Sequence, residues 1–258
     1  MIKHGKIPDW YDNDSEFEEV FHNDTANEKM TNRTIEKILK KYKVKSVLDL
    51  TCGTGSQIFH LLKCGFEVTG SDISNGMLKI AERKAKQEKI KIKFLRGDMR
   101  NIHVGKFDAA ITIFNAIGHL TKAGFNKTIR NIHKNLSDGG IYIFDIINLN
   151  YVLDKDNIMK MSLERMATSG KLKVRELQHS IVDNNGILIS YTIFYTQKSK
   201  QTPQVASKNV VTLQLCTAHE LKKMLNKNGF KVLAQCGIDG SKFNEKTTER
   251  IVTIAKKL

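Results

Sequence analysis

Residues 47–55 of this 258-residue chain read Val-Leu-Asp-Leu-Thr-Cys-Gly-Thr-Gly. An apolar run closes on an acid at Asp49, turns through Gly53 and Gly55, and gives way to helical spacing. A strand feeding a tight loop that opens a helix can hold a nucleotide-like ligand against backbone amides. Two more acids, Asp72 and Asp98, follow the next two apolar runs. Carboxylates accept hydroxyls and amines in charge-assisted bonds, whereas they repel phosphate. Asp49 also suits a cationic ligand, which favours its ionised form. A dinucleotide site calls for Gly-x-Gly-x-x-Gly, and Ile58 stands at the third position. The Gly-Lys-Ser/Thr of a phosphate-gripping loop is absent from the sequence.

A second group able to do chemistry is Phe114-Asn115-Ala116-Ile117-Gly118-His119-Leu120. His119 can accept a proton or orient a nucleophile, and it could equally cap a helix. Near the N-terminus Tyr11 sits beside Trp10 in an acidic stretch that includes Asp9, Asp12, Asp14, Glu16, Glu18 and Glu19. Such a run could draw in a cationic amine or form a solvated face. Cys52, Cys64, Cys216 and Cys236 lack Cys-x-x-Cys spacing, so reduced thiols are expected rather than a disulfide framework.

Positioning these groups requires strands alternating with helices. Strands are expected at 44–50, 67–71, 90–95, 107–114 and 141–147. Between them come a helix at 56–64, one capped by Ser74, and one starting at Thr121. Residues 14–43 carry helical spacing with a break near Asn23. Continuous apolar strands between amphipathic helices imply a doubly wound α/β fold, its parallel sheet covered on both faces. From about Asn148 the pattern turns β-rich. Runs at 172–182 and 187–196 flank Asp183-Asn184-Asn185-Gly186, a hairpin signal, and residues 198–208 read as an exposed loop. A strand at 209–216, a capping box from Thr217 to Glu220, and strands near 230–236 and 249–255 complete the chain.

Hydrophobic residues make up 40% of the chain and charged residues 27%, ordinary for a globular protein. No apolar run approaches the ~20 residues of a membrane span, and no leader precedes the polar N-terminus, so a cytoplasmic protein is expected. The net charge is +15, yet residues 1–36 hold only 4 basic against 9 acidic side chains. The remaining lysines are scattered without a dense basic block. They read as a solvated surface, and a nucleic-acid partner is not expected.

Asp49-x-x-x-Gly53-x-Gly55 resembles motif I of the class I S-adenosylmethionine-dependent methyltransferases. The resemblance continues through Asp72-x-Ser74-x-x-Met77-Leu78-x-x-Ala81 and Gly97-Asp98-Met99, covering about residues 50–150. It implies that Asp72 binds the ribose hydroxyls of adenosylmethionine and Asp98 the adenine amino group. Gly53 and Gly55 would let backbone approach the methionyl part. Thr51 and Cys52 complete that turn, and Ile73, Met77, Met99, Phe114 and Asn115 are the other expected cofactor-lining positions. The 114–120 segment lacks the Asn-Pro-Pro-Tyr of base-amine methylation and the Pro-Cys of cytosine-C5 chemistry. It looks like small-molecule N-methyltransferases acting on amino sugars or on glycine and sarcosine. In the amino-sugar enzymes a similar Phe-x-x-Ile-Gly-His-Leu places its histidine at the acceptor amine, together with an N-terminal tyrosine. Carried over, those roles fall to His119 and Tyr11.

The expected organisation is an N-terminal helical cap at 1–43, a cofactor-binding α/β core at 44–147, a β-rich lid at 148–216, and closing core elements at 217–258. The expected partner is a small-molecule acceptor, with the apolar hairpin face at 187–195 available to the lid or to a second copy of the chain. An RNA methyltransferase, or a cofactor-binding protein without turnover, are the competing readings.

Overall fold

In a computed structural model, residues 4–5, 8–13, 15, 26–154, 163–169, 172–198 and 201–258 are described. The break expected near Asn23, and the acidic side chains of Asp14, Glu16, Glu18 and Glu19, lie outside them. A short helix α1 (Trp10–Asn13) precedes the longer α2 (Ala26–Lys41). The core then runs β1 (Ser46–Asp49), α3 (Ser56–Lys63), β2 (Glu67–Asp72), α4 (Asn75–Gln87), β3 (Lys93–Arg96) and β4 (Phe107–Thr112). After a 3-10 turn (Ala116–His119) come α5 (Lys122–Asn135), β5 (Leu136–Ile147) and α6 (Leu149–Leu153). Strands β6 (Leu163–Ser169), β7 (Leu172–Val182), β8 (Ile187–Lys198) and β9 (Gln204–Gln214) form a separate antiparallel sheet. Helix α7 (Ala218–Lys227), β10 (Phe230–Cys236) and β11 (Arg250–Lys257) return to the main sheet.

The seven-stranded sheet is ordered β10-β11-β5-β4-β1-β2-β3. Its five core strands are parallel, and β11 runs antiparallel between β5 and β10. Side chains alternate across the pleat, so successive residues of one strand feed opposite layers. Leu48, Leu50 and Ala110 pack beneath Phe125, Ile129 and Ile132 of α5 and Leu221 and Leu225 of α7. Val47, Ala109 and Ile111 pack on Ile35 and Leu39 of α2 and Leu61 of α3. This is the Rossmann-like arrangement expected from the alternation of strands and helices, and the four-stranded sheet after β5 is placed to act as a lid.

Three local expectations need correction. Strand four was expected to reach Phe114, but β4 stops at Thr112, because Phe114 and Asn115 adopt φ of 61° and 59°. A residue with left-handed φ cannot continue a strand. The expected loop at 198–208 is shorter, since β9 already pairs with β8 from Gln204. As an edge strand it carries polar, exposed residues such as Gln204 and Lys208, which discourage further pairing and read as loop in the sequence. Strand β6 was not expected at all.

The hairpin forms as its turn residues demand. Asp183 Oδ1 accepts from the backbone N–H of Asn185 at 2.9 Å and of Ile187 at 2.8 Å. Leu188 and Val182 pack on Val152 of α6. The opposite face carries Ile189 across from Thr212 and Tyr191 across from Val210. Tyr191 and Val210 are exposed there. No helix among the described residues is long and apolar enough to cross a membrane.

Candidate active site

The expected acids gather at the carboxyl edge of the parallel strands, where ligands bind in open α/β sheets. Asp49 ends β1 beside Gly70 of β2 and Ile111 of β4. Asp72 ends β2, and Asp98 lies two residues beyond β3. Asp49 is buried, with Oδ1 accepting the Thr51 N–H at 3.0 Å. Burial, with the Asp72 charge adding to it, pushes its carboxyl up to about 7. Asp72 is raised too, by burial first, against the Ser74 and Gly53 N–H groups that favour its charge. Those groups donate to Asp72 at 2.9 and 2.8 Å. A buried carboxylate at Asp49 and a half-buried one at Asp72, close enough for the second to act on the first, form a site whose negative charge is only partly neutralised by the protein.

The glycine loop is shaped for close approach. Gly53 takes φ 51°, and nothing among the described residues stands within 4 Å of where a Cβ would be. Gly55 takes φ 92° and precedes α3, and a Cβ there would sit 2.6 Å from the Phe59 ring. Cys52 is buried against Ile58 and Leu78 with its thiol pushed well up by burial, so it packs and does not react. Thr51 Oγ1 is buried without a hydrogen-bond partner among the described residues. An orphaned hydroxyl beside an open glycine is a position left for a ligand atom.

Around this loop, Met77 is buried on α4 and Met99 packs in the core, its carbonyl accepting from Asn131 at 3.0 Å. Gly97 donates to the Asp72 carbonyl at 2.9 Å, and a Cβ there would collide with Ile102 at 2.2 Å. Ile73 is half-buried. Sequence reasoning missed Arg100. Its backbone N–H donates to Asp98 Oδ1 at 2.8 Å, and its Nε lies 2.9 Å from both carboxylate oxygens. Burial opposes the charge on Asp98, but the Arg100 bonds prevail and hold the carboxyl below the usual range.

The 114–120 turn is braced from beneath. The Asn115 N–H donates to Asp145 Oδ2 at 3.1 Å, and the Ile147 N–H donates to Asn115 Oδ1 at 3.1 Å. Asp145 is fully buried and pairs with Arg250, whose Nε donates at 2.7 Å. Two consecutive non-glycine residues in left-handed backbone cost about 1–2 kcal/mol each. Strain of this kind persists where surrounding bonds enforce it, and it clusters at functional sites. Here it leaves Phe114 exposed at the strand end and presents His119 toward the N-terminal segment.

His119 Nε2 lies 3.1 Å from the Tyr11 hydroxyl, with the two rings edge to face at 5.6 Å. Burial, helped by nearby His4, pushes His119 down to about 4, so the imidazole is neutral near pH 7. Its Nδ1 is buried with no hydrogen-bond partner among the described residues. Helix α1 is pinned where it brings Tyr11 across. Asp12 Oδ1 accepts the Gly76 N–H at 3.0 Å, and the Ser74 hydroxyl lies 2.8 Å from both Asp12 Oδ1 and the Tyr11 carbonyl. A Cβ on Gly76 would stand 2.7 Å from the Asp12 carbonyl oxygen, so this docking needs glycine. His4, also missed, donates from Nε2 to the Leu120 carbonyl at 3.2 Å and lies 3.0 Å from the Thr212 hydroxyl of β9. The N-terminal segment therefore straps the 3-10 turn to the lid sheet.

Comparison with known proteins bears on the α/β core that carries these residues. Residues 47–140 match the model of a methyltransferase domain. A putative methyltransferase of Geobacillus sp. (strain WCH70) is 25% identical over 86% of this chain and 90% of its own length. The chain is a class I S-adenosylmethionine-dependent methyltransferase. A glycine/sarcosine N-methyltransferase of Parasynechococcus marenigrum (strain WH8102) is 34% identical over 46% of this methyltransferase and 43% of its own length. The fold is shared with an adenosylmethionine-bound amino pentose methyltransferase of Micromonospora echinaspora. The TM-score is 0.72 at 15% identity, over 94% of this chain and 97% of that one. The cofactor of the methyltransferase is S-adenosylmethionine, with S-adenosylhomocysteine as product. The donor set fits it: the loop and acids can accept hydroxyls and a cationic centre, and nothing in them grips phosphate.

Proposed function

We propose that this methyltransferase alkylates the nitrogen of a small-molecule amine, with Tyr11 and His119 presenting the acceptor. The observation that carries the reading is the 3.1 Å contact between the Tyr11 hydroxyl and His119 Nε2 beside the strained Phe114-Asn115 turn. The bound cofactor supplies a methyl on a sulfonium, whose departure leaves a neutral thioether. Alignment and exclusion of water then provide much of the rate, and no strong acid is needed. An imidazole that stays neutral down to about pH 4 is too weak a base to deprotonate an ammonium ion. His119 instead accepts from the Tyr11 hydroxyl, and the phenol oxygen keeps a lone pair for an N–H of the acceptor. The amine binds as its free base, is turned toward the methyl, and releases its proton to solvent after transfer. The glycine/sarcosine N-methyltransferase relative supports an amine.

On the cofactor side, Asp72 takes the ribose hydroxyls and Asp98, held by Arg100, faces the adenine. Gly53, Gly55 and Thr51 take the methionyl part, Cys52 backs the loop, and Asp49 favours the sulfonium. Ile73, Met77, Gly97, Met99, Phe114 and Asn115 shape the walls. The lid face carrying Ile189, Tyr191 and Val210 continues from Thr212, which His4 holds, and it covers the acceptor.

Incubating the full chain with adenosylmethionine and panels of amino sugars, amino acids, simple amines and RNA tests the acceptor class. Adenosylhomocysteine should form with an amine of one small-molecule panel. Turnover confined to RNA, or none with any panel, would reject the reading. The Asp49 assignment gives a pH test. Its ionised form grows as pH rises through about 7, and only adenosylmethionine carries the sulfonium. From pH 6 to 8 its affinity should rise relative to that of adenosylhomocysteine by up to about tenfold. Calorimetric titration of both ligands measures the ratio, and a ratio independent of pH contradicts the role.

A further inference from the structure

Glu36 of α2, His60 of α3 and Cys64, which follows α3, meet half-buried where the two helices adjoin, in the layer that packs over Val47 and Ile111. They lie away from the carboxyl-edge cleft, and nothing in the methyl-transfer reading uses them. His60 and Cys64 stand four residues apart, so they share one helix face. One ligand atom from each of the three lies within 4.8 Å of the others. His60 Nε2 is 2.8 Å from Glu36 Oε2 and 3.8 Å from Cys64 Sγ.

One ring nitrogen is thus directed at a carboxylate and a thiol together. Cys64 also hydrogen-bonds Glu36, so the three side chains converge on one point, and a cation at that focus would replace these bonds and serve all three. Tetrahedral zinc, with bonds of about 2.0–2.3 Å to N, O and S, spaces its ligand atoms roughly 3.3–3.6 Å apart. The two observed separations bracket that range. Lys40 Nζ donates to Glu36 Oε1 at 2.6 Å, which fixes the carboxylate and leaves Oε2 as the ligating atom. Such an outer partner is a usual companion of a metal ligand. The His60 and Glu36 side chains are 27% and 18% exposed, so an ion and a fourth, water ligand can reach the site.

We propose that Glu36, His60 and Cys64 form a zinc site that clamps α2 to α3. The thiolate selects a thiophilic divalent ion over magnesium or calcium. On binding, the Cys64 S–H bond breaks, its proton passes to solvent, and the sulfur lone pair forms the bond to zinc. His60 binds through Nε2 with its proton on Nδ1. Glu36 and Cys64 together balance the two positive charges. The site fastens the far end of a helix pair already joined near the glycine loop, where Asn32 Nδ2 donates to Ser56 Oγ at 3.0 Å and Ser56 also bonds Glu28. Metal at this position therefore stiffens the helix that opens the cofactor loop.

The test is titration of the metal-stripped full chain with Co2+ as probe, then with Zn2+. A thiolate-to-cobalt charge-transfer band should saturate at one equivalent and disappear when zinc displaces cobalt, and zinc should raise Tm. Cys64→Ser should abolish the band, and His60→Ala should weaken cobalt binding at least about 100-fold, the upper end of what losing even an outer partner costs. Cys236→Ser, removing another partly exposed thiol, should leave the band intact. A wild-type chain that gives no band, or a band that survives Cys64→Ser or vanishes with Cys236→Ser, overturns the proposal.

Discussion

Replacing His119 by alanine is expected to lower kcat/KM for the amine acceptor by about 100-fold and leave the Kd for adenosylmethionine unchanged. That magnitude is the lower end of what a positioned proton acceptor contributes, because His119 orients the Tyr11 hydroxyl and does not itself carry the proton away. Tyr11→Phe keeps the ring against His119 and removes only the hydroxyl, so it should reproduce most of the loss. Helix α1 remains docked in both variants, since Asp12, Ser74 and Gly76 hold it independently. The pH profile separates the roles. If His119 were the base, kcat/KM measured at saturating adenosylmethionine would show an imidazole limb that His119→Ala removes; with His119 neutral down to about 4, the profile there should follow the titration of the acceptor amine, the Asp49 limb near 7 being confined to cofactor binding. Stability carries the same signature. A histidine depressed on folding stabilises fully above its unfolded value near 6.5, and that contribution is lost as pH falls through about 4. Unfolding midpoints between those limits should fall less steeply in His119→Ala than in the wild type. An activity loss that appears entirely as weaker cofactor binding contradicts the assignment.

The features legible in the sequence are those set by local rules. Ser74 accepts the Met77 N–H as the cap of α4, and Thr217 and Glu220 form the expected capping box. Cap chemistry is written within four residues, and the hairpin turn likewise. The acids were legible because strand ends in a parallel sheet converge on one edge, so an acid after each apolar run must face the same cleft. The residues that brace the site were not. His4 reaches Thr212, 208 positions away, and no local pattern encodes that contact. Arg100 is two residues from Asp98, yet spacing does not reveal that its guanidinium folds back over the carboxylate. Asp145 did leave a signal, as the acid inside the apolar run 141–147, because a buried charge requires a partner. Arg250 opening the last strand is that partner. The end of β4 was misjudged because Phe114 has strand propensity, and the bonds from Asp145 and Ile147 that hold the left-handed turn come from 30 or more residues downstream.

Asp72→Ala is expected to weaken adenosylmethionine binding by 10- to 100-fold, the loss of charge-assisted bonds contributing about 1.5–3 kcal/mol. Two causes would contribute, and they can be separated. In the free protein each Asp72 oxygen accepts one backbone N–H, from Gly53 and from Ser74, so the carboxylate also fixes the glycine loop. Each oxygen retains capacity for one more donor, which the ribose hydroxyls would supply. Asp72→Asn keeps one acceptor oxygen and the side-chain volume while removing the charge, and it should fall between wild type and alanine. A cofactor analogue lacking one ribose hydroxyl completes a double cycle. If Asp72 binds the ribose, the analogue should lose affinity for the wild type but much less for Asp72→Ala, because the interaction is already gone. If the residue only shapes the loop, both proteins should lose equally. Burial and neighbouring charge raise the Asp72 pKa in the free protein, so removing this acid relieves a local penalty. Stranding the Gly53 and Ser74 N–H groups offsets that relief, so Asp72→Ala should change its unfolding midpoint without ligand little even as it loses cofactor, the trade expected when a charge is retained for binding rather than for stability.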